Sequence, residues 1–265
     1  MSRSTEALFP RRVYPLSTRD LSEEQLAVAF AMTSRRPEPF DEIAEKVTQE
    51  KAADFHERWV LGYGHASVAE HAIIHLAVEN LSRLACDALE DNRLASYTEK
   101  SSRYQVLSKG YYHVPRELKD DSELDKVYRK VCDKLFNTYE ELLDGVQNHL
   151  RAIRPQDENE RDSAYGLRLR REATDSCRFI LPAATLTNVG VTINARSLEH
   201  AITKLLSSNL VEERELGEEL KTKGKETTPT LIKYADFNQY ISSVQDRQRE
   251  HAAPHTEWKI VGDVE

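Results

Sequence analysis

A long stretch of apolar residues at helical spacing constrains the fold of this chain more than any other feature of its sequence. Between residues 123 and 153 an apolar residue recurs at every third or fourth position, which predicts one long amphipathic helix. Pro155 should end this helix, because proline cannot continue its backbone hydrogen-bond pattern. The apolar positions of the stretch are Leu124, Val127, Tyr128, Val131, Leu135, Tyr139, Leu142, Val146 and Leu150.

Shorter helical patterns and two strand-like runs surround the long helix. Ser22 and Gln25 fit the two ends of a capping box, and Ser82 can cap a helix over residues 83–90. Further helices are predicted at residues 22–33, 40–47, 48–60, 159–176, 197–221 and 230–244, buried strands at 72–79 and 185–193, and a strand-like piece at 258–264. Together these elements indicate a mixed α and β fold with few, long strands.

Charge and composition exclude several classes of protein. The chain has 265 residues and a net charge of −8, which argues against a general nucleic-acid binder. No apolar run reaches the ~18 residues of a membrane span, and the first residues lack the apolar stretch of a signal peptide. Three widely spaced cysteines indicate reduced thiols in a cytoplasmic protein. Neither GxGxxG nor GxxxxGKS/T occurs, so the two common glycine-built phosphate cradles are absent.

The first polar cluster is the segment GHASVAEH at residues 64–71, followed by His75. Its histidines and Glu70 invite a metal site, but the predicted strand would hold His71 and His75 too far apart to chelate one ion comfortably. We therefore expect no metal. The structural alternative is a capped turn in which Ser67 and Glu70 accept local backbone N–H groups.

The second polar cluster is the segment RLASYTEKSSRY at residues 93–104. Hydroxyl and guanidinium groups at this density can hold a phosphate without glycines, because both donate hydrogen bonds to an anion. A solvated loop with a chance excess of arginine and serine is the alternative. Arg178, beside an apolar run, needs an anionic partner, which is either a carboxylate or a ligand. Asn194, where a strand turns into a helix, can contact a ligand or simply cap the helix.

Taken in order, these segments resemble the flavin-dependent thymidylate synthase family over about residues 60–215. The matching pieces are GHASVAEH at 64–71, RLASYTEKSSRY at 93–104, RFILP at 178–182 and TINARSLEH at 192–200. The resemblance implies an α+β fold, with a mixed, largely antiparallel sheet packed with long helices in a single domain over residues 1–265. It implies a homotetramer that binds FAD at subunit interfaces. The implied reaction methylates dUMP at ring carbon 5, with carbon from methylenetetrahydrofolate and hydride from NADPH.

The resemblance also assigns roles to single residues. The side chains implied to contact the flavin are those of His65, Ser67, Glu70, Arg93, Asn194 and His200. The side chains implied to bind the nucleotide are those of Glu99, Ser101, Arg103 and Arg178, with Ser101 and Arg178 as the catalytic candidates. Several arginines in an acidic protein suit such a site, because reduced flavin and phosphate are both anionic.

The chain departs from the family pattern where cations would be expected. The family signature Arg-His-Arg reads Asp91-Asn92-Arg93 here. Three more polar positions of the family, Gln, Arg and Gln, are changed to Ala88, Leu205 and Val211. An aspartate beside an anionic ligand should weaken its binding. Four interpretations remain open: retained activity, an impaired subunit that pairs with an intact homologous chain, a methylase of another uridine nucleotide, and a purely structural protein.

Overall fold

The computed structural model describes residues 12–16 and 19–256 of the chain. The helices of this part are α1 (Glu23–Thr33), α2 (Phe40–Glu45), α3 (Gln49–Phe55), α4 (Arg83–Glu90), α5 (Ser122–Ile153), α6 (Asp162–Cys177), α7 (Ala195–Leu206), α8 (Val211–Thr227) and α9 (Gln239–Ala252). The strands are β1 (Ile73–Ser82), β2 (Ala95–Glu99) and β3 (Leu186–Asn194). No helix within these described residues is both long enough and apolar enough to cross a membrane. The strand-like piece predicted at 258–264 lies outside the described residues.

The sheet has three antiparallel strands in the order β1-β3-β2, so β3 lies in its centre. β3 alternates along its length, because Val189, Val191 and Ile193 are buried while the residues between them are more exposed. The predicted strands at 72–79 and 185–193 are both confirmed, although one face of β1 is exposed rather than buried. The fold is α+β, as predicted.

β2 is a strand that the sequence analysis does not predict, because it lies inside the second polar cluster. It pairs with β3 from Ala95, opposite Ile193, to Glu99, opposite Val189. Its short sequence ASYTE has only two residues of high strand propensity, Tyr97 and Thr98, which is a weak strand signal. Lys100 N continues the pairing by donating to the Asn188 carbonyl at 2.8 Å. The strand therefore fixes the start of the segment that carries the predicted nucleotide-binding residues.

Helices α4, α7 and α8 pack against the sheet and build the main core. α7 follows β3 directly, and the side chain of Asn194 caps it by accepting a hydrogen bond from Ser197 N at 2.9 Å. Ser82 caps α4 in the same way, through a bond from Ala85 N at 3.0 Å, as predicted. The largest buried side chains of this core include Ile74, Leu89, Ile193, Leu198, Ile202, Leu205 and Ile232.

The predicted long helix is confirmed as α5, and the predicted helix over 159–176 is confirmed as α6. The two helices pack together through Tyr139 and Leu150 of α5 and Leu169 of α6, all of which are buried. Other apolar residues of α5 stay exposed, namely Leu124, Val127, Val131 and Leu142. The long helix thus carries a second apolar stripe that α6 does not cover.

Three helix predictions differ from the structure in their bounds. The helix predicted over 197–221 is divided into α7 and α8, because two serine hydroxyls bond to local backbone groups: Ser207 Oγ donates to Thr203 O, and Ser208 Oγ accepts from Leu210 N. The helix predicted over 48–60 is α3 followed by a π-helix, His56–Gly62. The helix predicted over 230–244 is wrong in its first part, where turns occur, and α9 begins only at Gln239.

A buried carboxylate ties α1 to the segment that follows α8. Glu24 Oε1 accepts hydrogen bonds from Thr230 N at 2.8 Å and from Leu231 N at 3.1 Å. The ring of His56 bonds to the Glu24 carbonyl oxygen at 3.0 Å, which adds the π-helix to the same junction. Two backbone donors satisfy the buried charge and hold this segment as a turn rather than as the start of a helix.

Candidate functional site

The segment GHASVAEH forms one wall of a cavity of about 370 Å³. The π-helix precedes it, and a short 3-10 helix, Ala66–His71, makes up most of it. His65 N donates to the Trp59 carbonyl at 3.0 Å, which closes the turn between the two helices. The cavity is lined by His65, Ser67, Glu70 and His71 of this segment together with Phe30, Ser34, Arg35, Phe55 and Trp59. We call it the turn cavity.

Aromatic rings give the turn cavity flat, apolar walls. The Trp59 ring stacks on Tyr63 with centroids 5.1 Å apart, and Arg35 Cζ lies 4.4 Å from the centroid of Trp59. His65 and Ser67 are exposed, and their side chains have no hydrogen-bond partner among the described residues. The cavity therefore places aromatic side chains and polar groups side by side, a combination that suits a flat heterocycle.

The histidines of this segment do not converge on one point. The His71 ring faces Phe30, with ring centroids 4.9 Å apart. His75 Nδ1 lies 2.9 Å from Thr192 Oγ1, on the neighbouring strand β3. The two rings are thus engaged by different neighbours, and their arrangement offers no shared metal position.

Within the described part of the chain, one group of side chains could share a metal ion: Cys86, Glu90 and Glu99. Burial raises the pKa of the Cys86 thiol to about 12, which opposes the thiolate that a metal needs. Glu99 is also paired with Arg83, whose Nη1 lies 3.3 Å from its Oε1. The group is consistent with a buried thiol beside a structural ion pair.

Two predicted nucleotide-binding arginines meet at one carboxylate. Arg103 Nε lies 3.0 Å from Asp175 Oδ1, and its Nη2 donates to Oδ2 at 3.3 Å. Arg178 Nε lies 3.0 Å from the same Oδ1 but without the alignment of a hydrogen bond, so this buried nitrogen is ion-paired and has no hydrogen-bond acceptor. We call Arg103, Asp175 and Arg178 the guanidinium cluster. It has one net positive charge, and the terminal N–H groups of Arg178 have no hydrogen-bond acceptor among the described residues.

Ser101 and Glu99 lie on the segment that leads from β2 to the guanidinium cluster. Ser101 Oγ accepts a hydrogen bond from Arg103 N at 3.2 Å, so its hydroxyl proton stays available to a ligand. Glu99 is engaged with Arg83 instead. The structure therefore brings Ser101, Arg103 and Arg178 into one region and gives Glu99 a separate partner.

Each arginine of the cluster is followed in the sequence by an exposed aromatic residue. Tyr104 is 60% exposed and Phe179 is 79% exposed. Arg178 Cζ lies 4.9 Å from the centroid of the Phe179 ring, and Arg171 Cζ lies 5.0 Å from that of Tyr104. The cluster is thus a cationic surface with two accessible ring faces beside it.

Positions 91 to 93 differ from the cluster, because two of their three side chains are already engaged. Asp91 Oδ2 accepts a hydrogen bond from Lys204 Nζ at 2.6 Å, and this ammonium lowers the pKa of Asp91. Asn92 is buried, and its Nδ2 donates to the Leu89 carbonyl at 2.8 Å, at the end of α4. The Arg93 side chain is exposed and has no partner among the described residues.

Three positions where the chain departs from the family pattern, Ala88, Asp91 and Leu205, line one cavity of about 580 Å³. Its other charged side chains are those of Asp87, Glu90, Lys204 and Glu213. Burial raises the pKa of Glu213, and burial together with the charge of Glu99 raises the pKa of Glu90. We call it the acidic cavity, because four carboxyl groups face one ammonium there. Such a charge balance disfavours a phosphate or an anionic flavin.

The remaining predicted flavin contacts have mixed surroundings. Asn194 caps α7, so the alternative of ordinary capping is confirmed for it. Glu70 is ion-paired with Arg196 rather than with a local N–H group, and Ser67 accepts no such bond within the described part, so the capped-turn alternative is wrong. His200 is exposed on α7, about one turn after Arg196.

Asp175 is the main site residue that the sequence analysis missed. It lies three residues before Arg178, and this helical spacing brings two side chains together, so a local signal was present. Lys204 was missed as well, but it lies 113 residues from Asp91 and gave no local signal.

A comparison with models of protein families identifies the family of this chain. The model described as "Thymidylate synthase complementing protein" matches residues 16–230, most of the chain. The chain belongs to this family. The resemblance to flavin-dependent thymidylate synthases is thereby confirmed, and proteins of that name are among the relatives of the chain.

The relatives of this chain match it over only part of their own length. A UPF0159 protein of Chlamydia muridarum is 38% identical over 192 residues, which are 71% of this chain and 36% of that protein. A flavin-dependent thymidylate synthase of Pyrococcus furiosus is 31% identical over 167 residues, 62% of this chain and 56% of that protein. The match thus spans about a third to somewhat over half of these relatives.

A solved structure supports the fold of this family member. The UMP/dUMP methylase PolB from Streptomyces cacaoi superposes with a TM-score of 0.57 at 18% identity, covering 79% of this chain and 88% of that one. At this identity the likeness establishes the α+β fold alone.

Family membership implies FAD, and the described side chains fit it in part. The turn cavity fits, because its rings, hydroxyl and imidazole groups suit a flat heterocycle. The signature positions do not, because Asp91 and Asn92 are engaged within the protein and Arg93 supplies the one unpaired cation of the three. The described side chains therefore fit FAD at the turn cavity but not at positions 91 and 92.

Proposed function

We propose that this chain serves the reductive methylation of a uridine nucleotide at ring carbon 5, with dUMP as substrate and dTMP as product. The observation that carries the proposal is the guanidinium cluster, which leaves N–H groups of Arg178 for a phosphate and has Ser101 beside it. Methylenetetrahydrofolate would supply the carbon and NADPH the hydride. The names of the relatives from Pyrococcus furiosus and Streptomyces cacaoi support this substrate class.

The two arginines of the cluster would hold the nucleotide phosphate between them. Without a ligand, Asp175 balances part of their charge and keeps the two guanidinium groups close together. A phosphate dianion offers three strong acceptors and competes well for these donors. The Ser101 hydroxyl can then donate to the bound nucleotide. The Arg178 Nε–H has no hydrogen-bond acceptor without a ligand, so it can donate to negative charge that develops on the nucleotide during the reaction.

The turn cavity would hold the flavin ring system of FAD. His65 and Ser67 would donate hydrogen bonds, while Trp59 and Phe30 would exclude water from its face. Arg93 is an unpaired cation for the diphosphate of the same cofactor, and His200 is a further exposed imidazole. FAD, when bound, carries hydride from NADPH to the nucleotide.

A second candidate function is that of a subunit which completes its flavin site with a homologous chain. The Asp91–Lys204 bond and the acidic cavity favour it, because they fill the place of the family's first cation with an internal ion pair. A homologous chain with an intact Arg-His-Arg would supply the missing groups. The exposed apolar stripe of α5 supports assembly, either as a homotetramer or with such a chain.

The visible absorption spectrum of the purified protein, followed by a tritium-release assay with ring-labelled dUMP, tests both candidates. Bound flavin and tritium release from the chain alone support the first. Release that begins only when an intact homologous chain is added supports the second. The Arg178→Ala variant should abolish release in both settings, whereas Arg129→Ala on α5, whose arginine pairs with Asp125, should not. Absence of release in both settings contradicts both candidates.

A further inference from the structure

We infer that Phe179 is the surface on which the base of the bound nucleotide stacks. The inference rests on the proposed function of the guanidinium cluster as the phosphate site. A nucleotide that is held by its phosphate still needs a partner for its ring. Leu205 stands where the family has an arginine and is 2% exposed, so that position offers no hydrogen bond to a base.

The backbone around Phe179 is held by a hydrogen bond and by packing, while the phenyl ring is exposed. It lies in a 3-10 turn, Arg178–Ile180, between α6 and Pro182, and Leu181 N closes the turn by donating to Arg178 O at 3.1 Å. Ile180 packs inward against the cluster of α5 and α6. The neighbouring Phe179 is left 79% exposed, so a large apolar ring is presented to solvent from an anchored turn.

The neighbourhood of Phe179 indicates what would cover its ring. Arg178 Cζ lies 4.9 Å from the ring centroid, so the guanidinium now rests over the phenyl face. When a phosphate draws that guanidinium toward itself, the ring face becomes available to another flat, electron-poor group. In a nucleotide the base is joined to the phosphate through one sugar, so a ring beside the phosphate-binding arginine is within reach of the base. Stacking on one face leaves the other face of the base open to the flavin.

This geometry also predicts how selective the site is. Stacking on an aromatic ring depends on the face of a base and is tolerant of its edge groups. A base that is held mainly by stacking on Phe179 is therefore read weakly at its ring edge. We therefore expect dCMP to bind within a fewfold of dUMP, whereas a sugar phosphate without a base binds clearly more weakly.

Calorimetric titration of the full chain with dUMP and with 2-deoxyribose 5-phosphate tests the inference. Phe179→Ala should weaken dUMP binding about five- to tenfold, the lower end of the usual effect for one stacked base, and leave the sugar phosphate unchanged. Phe179→Trp keeps an aromatic face, so this variant should bind dUMP about as tightly as the parent chain. The matched control is Tyr240→Ala on α9, another exposed ring with an arginine over it, Arg247 Cζ lying 5.4 Å from its centroid. It should change neither affinity.

Two results would overturn the inference, and they are distinguishable. If Phe179→Ala leaves the affinity for dUMP unchanged while Arg178→Ala weakens both ligands, the base does not stack on this ring and the phosphate site stands. If neither ligand binds the parent chain at all, the phosphate site itself fails, and the inference fails with it. Thermal unfolding of each variant checks that the exposed substitutions leave the fold intact.

Discussion

The guanidinium cluster and the acidic cavity lie in one fold and both include positions to which the family resemblance assigns a ligand contact, yet they differ in how their charges are satisfied. In the cluster, Arg103 and Arg178 share one carboxylate and keep unpaired N–H groups. In the acidic cavity, Asp91 is bonded to Lys204 at 2.6 Å, and carboxyl groups outnumber the ammonium. The first arrangement leaves hydrogen-bond donors without acceptors, while in the second Asp91 has its cationic partner within the protein.

The difference shows that one fold holds charged side chains in two ways, with donors left free in the cluster and with Asp91 paired internally in the acidic cavity. Both regions lie next to the sheet. Strand β2 leads into the cluster, and helix α4, which packs against the sheet, ends at the acidic cavity. Asp91 stands where the family signature has an arginine, and it forms an ion pair with Lys204 within the protein. Because Asp91 is largely exposed, this pair adds little to the stability of the fold.

The largest effect is expected from the cluster itself. Substituting Arg103 and Arg178 together by alanine should weaken dUMP binding about a hundredfold or more, because each removes charge-assisted hydrogen bonds to the phosphate. Equilibrium dialysis with labelled dUMP measures this loss. Arg129→Ala is the control, since that arginine pairs with Asp125 on α5. An unchanged affinity in the double variant would move the nucleotide site elsewhere.

The next effect concerns the acidic cavity. Asp91→Arg combined with Asn92→His should raise FAD affinity about tenfold, because it removes an anion and adds donors where the family has them. The loss of the Asn92 bond to the Leu89 carbonyl should lower the free energy of unfolding by about 1 kcal/mol. Flavin fluorescence quenching measures the affinity. A matched charge reversal, Asp144→Arg on α5, should leave it unchanged, and no gain in the double variant would mean that a partner chain supplies these groups.

A smaller effect is expected at Arg93, the unpaired member of the signature. Arg93→Ala should lower FAD affinity about fivefold, as expected for the loss of ~1 kcal/mol from one exposed cation. The melting temperature should not change, because the Arg93 side chain has no partner among the described residues. Flavin titration and thermal unfolding of the same sample test both statements. A fall in melting temperature with unchanged flavin affinity would show that Arg93 is structural.

The smallest effect is a local change of titration in the acidic cavity. Lys204 lowers the pKa of Asp91, so the pair contributes stability above the unfolded-state pKa, and the contribution is lost as the pH falls through the lowered folded pKa. Lys204→Met should return the Asp91 pKa toward about 3.9. Carboxyl NMR titration measures it, and Glu160, held low by Arg168, serves as the internal control. An Asp91 pKa that stays low would mean that another cation supports it.

Much of the fold could be predicted from the sequence because its signals are local. The apolar period of α5, the capping box at Ser22 and the alternation of β3 each depend on residues within a few positions of one another. The elements that were missed depend on distant partners. β2 is a strand because β3 pairs with it, and the turn at Thr230 exists because Glu24, 206 residues earlier, accepts its N–H.

The candidate site divides in the same way. The segments around His65, Ser101 and Arg178 could be found from residue types and order alone. Their surroundings divide further: the helical spacing of Asp175 and Arg178 is a local signal, whereas Lys204 meets Asp91 only in the folded chain. Asn194 matches the family pattern and also caps α7, so its capping role follows from the strand-to-helix turn in the sequence, while its flavin contact stays a prediction.

The bond between Glu24 and the turn at Thr230 also defines how short this protein can be made. The family match ends at residue 230, but Leu231 N shares the same carboxylate, and Ile232 is completely buried against the core. A chain that ended at residue 230 would leave the buried Glu24 carboxylate without its hydrogen bond from Leu231 N. It would also leave a cavity beside α7 and α8, where the Ile232 side chain packs. The smallest unit expected to fold on its own therefore extends at least through Ala235, past the border that sequence comparison alone would draw.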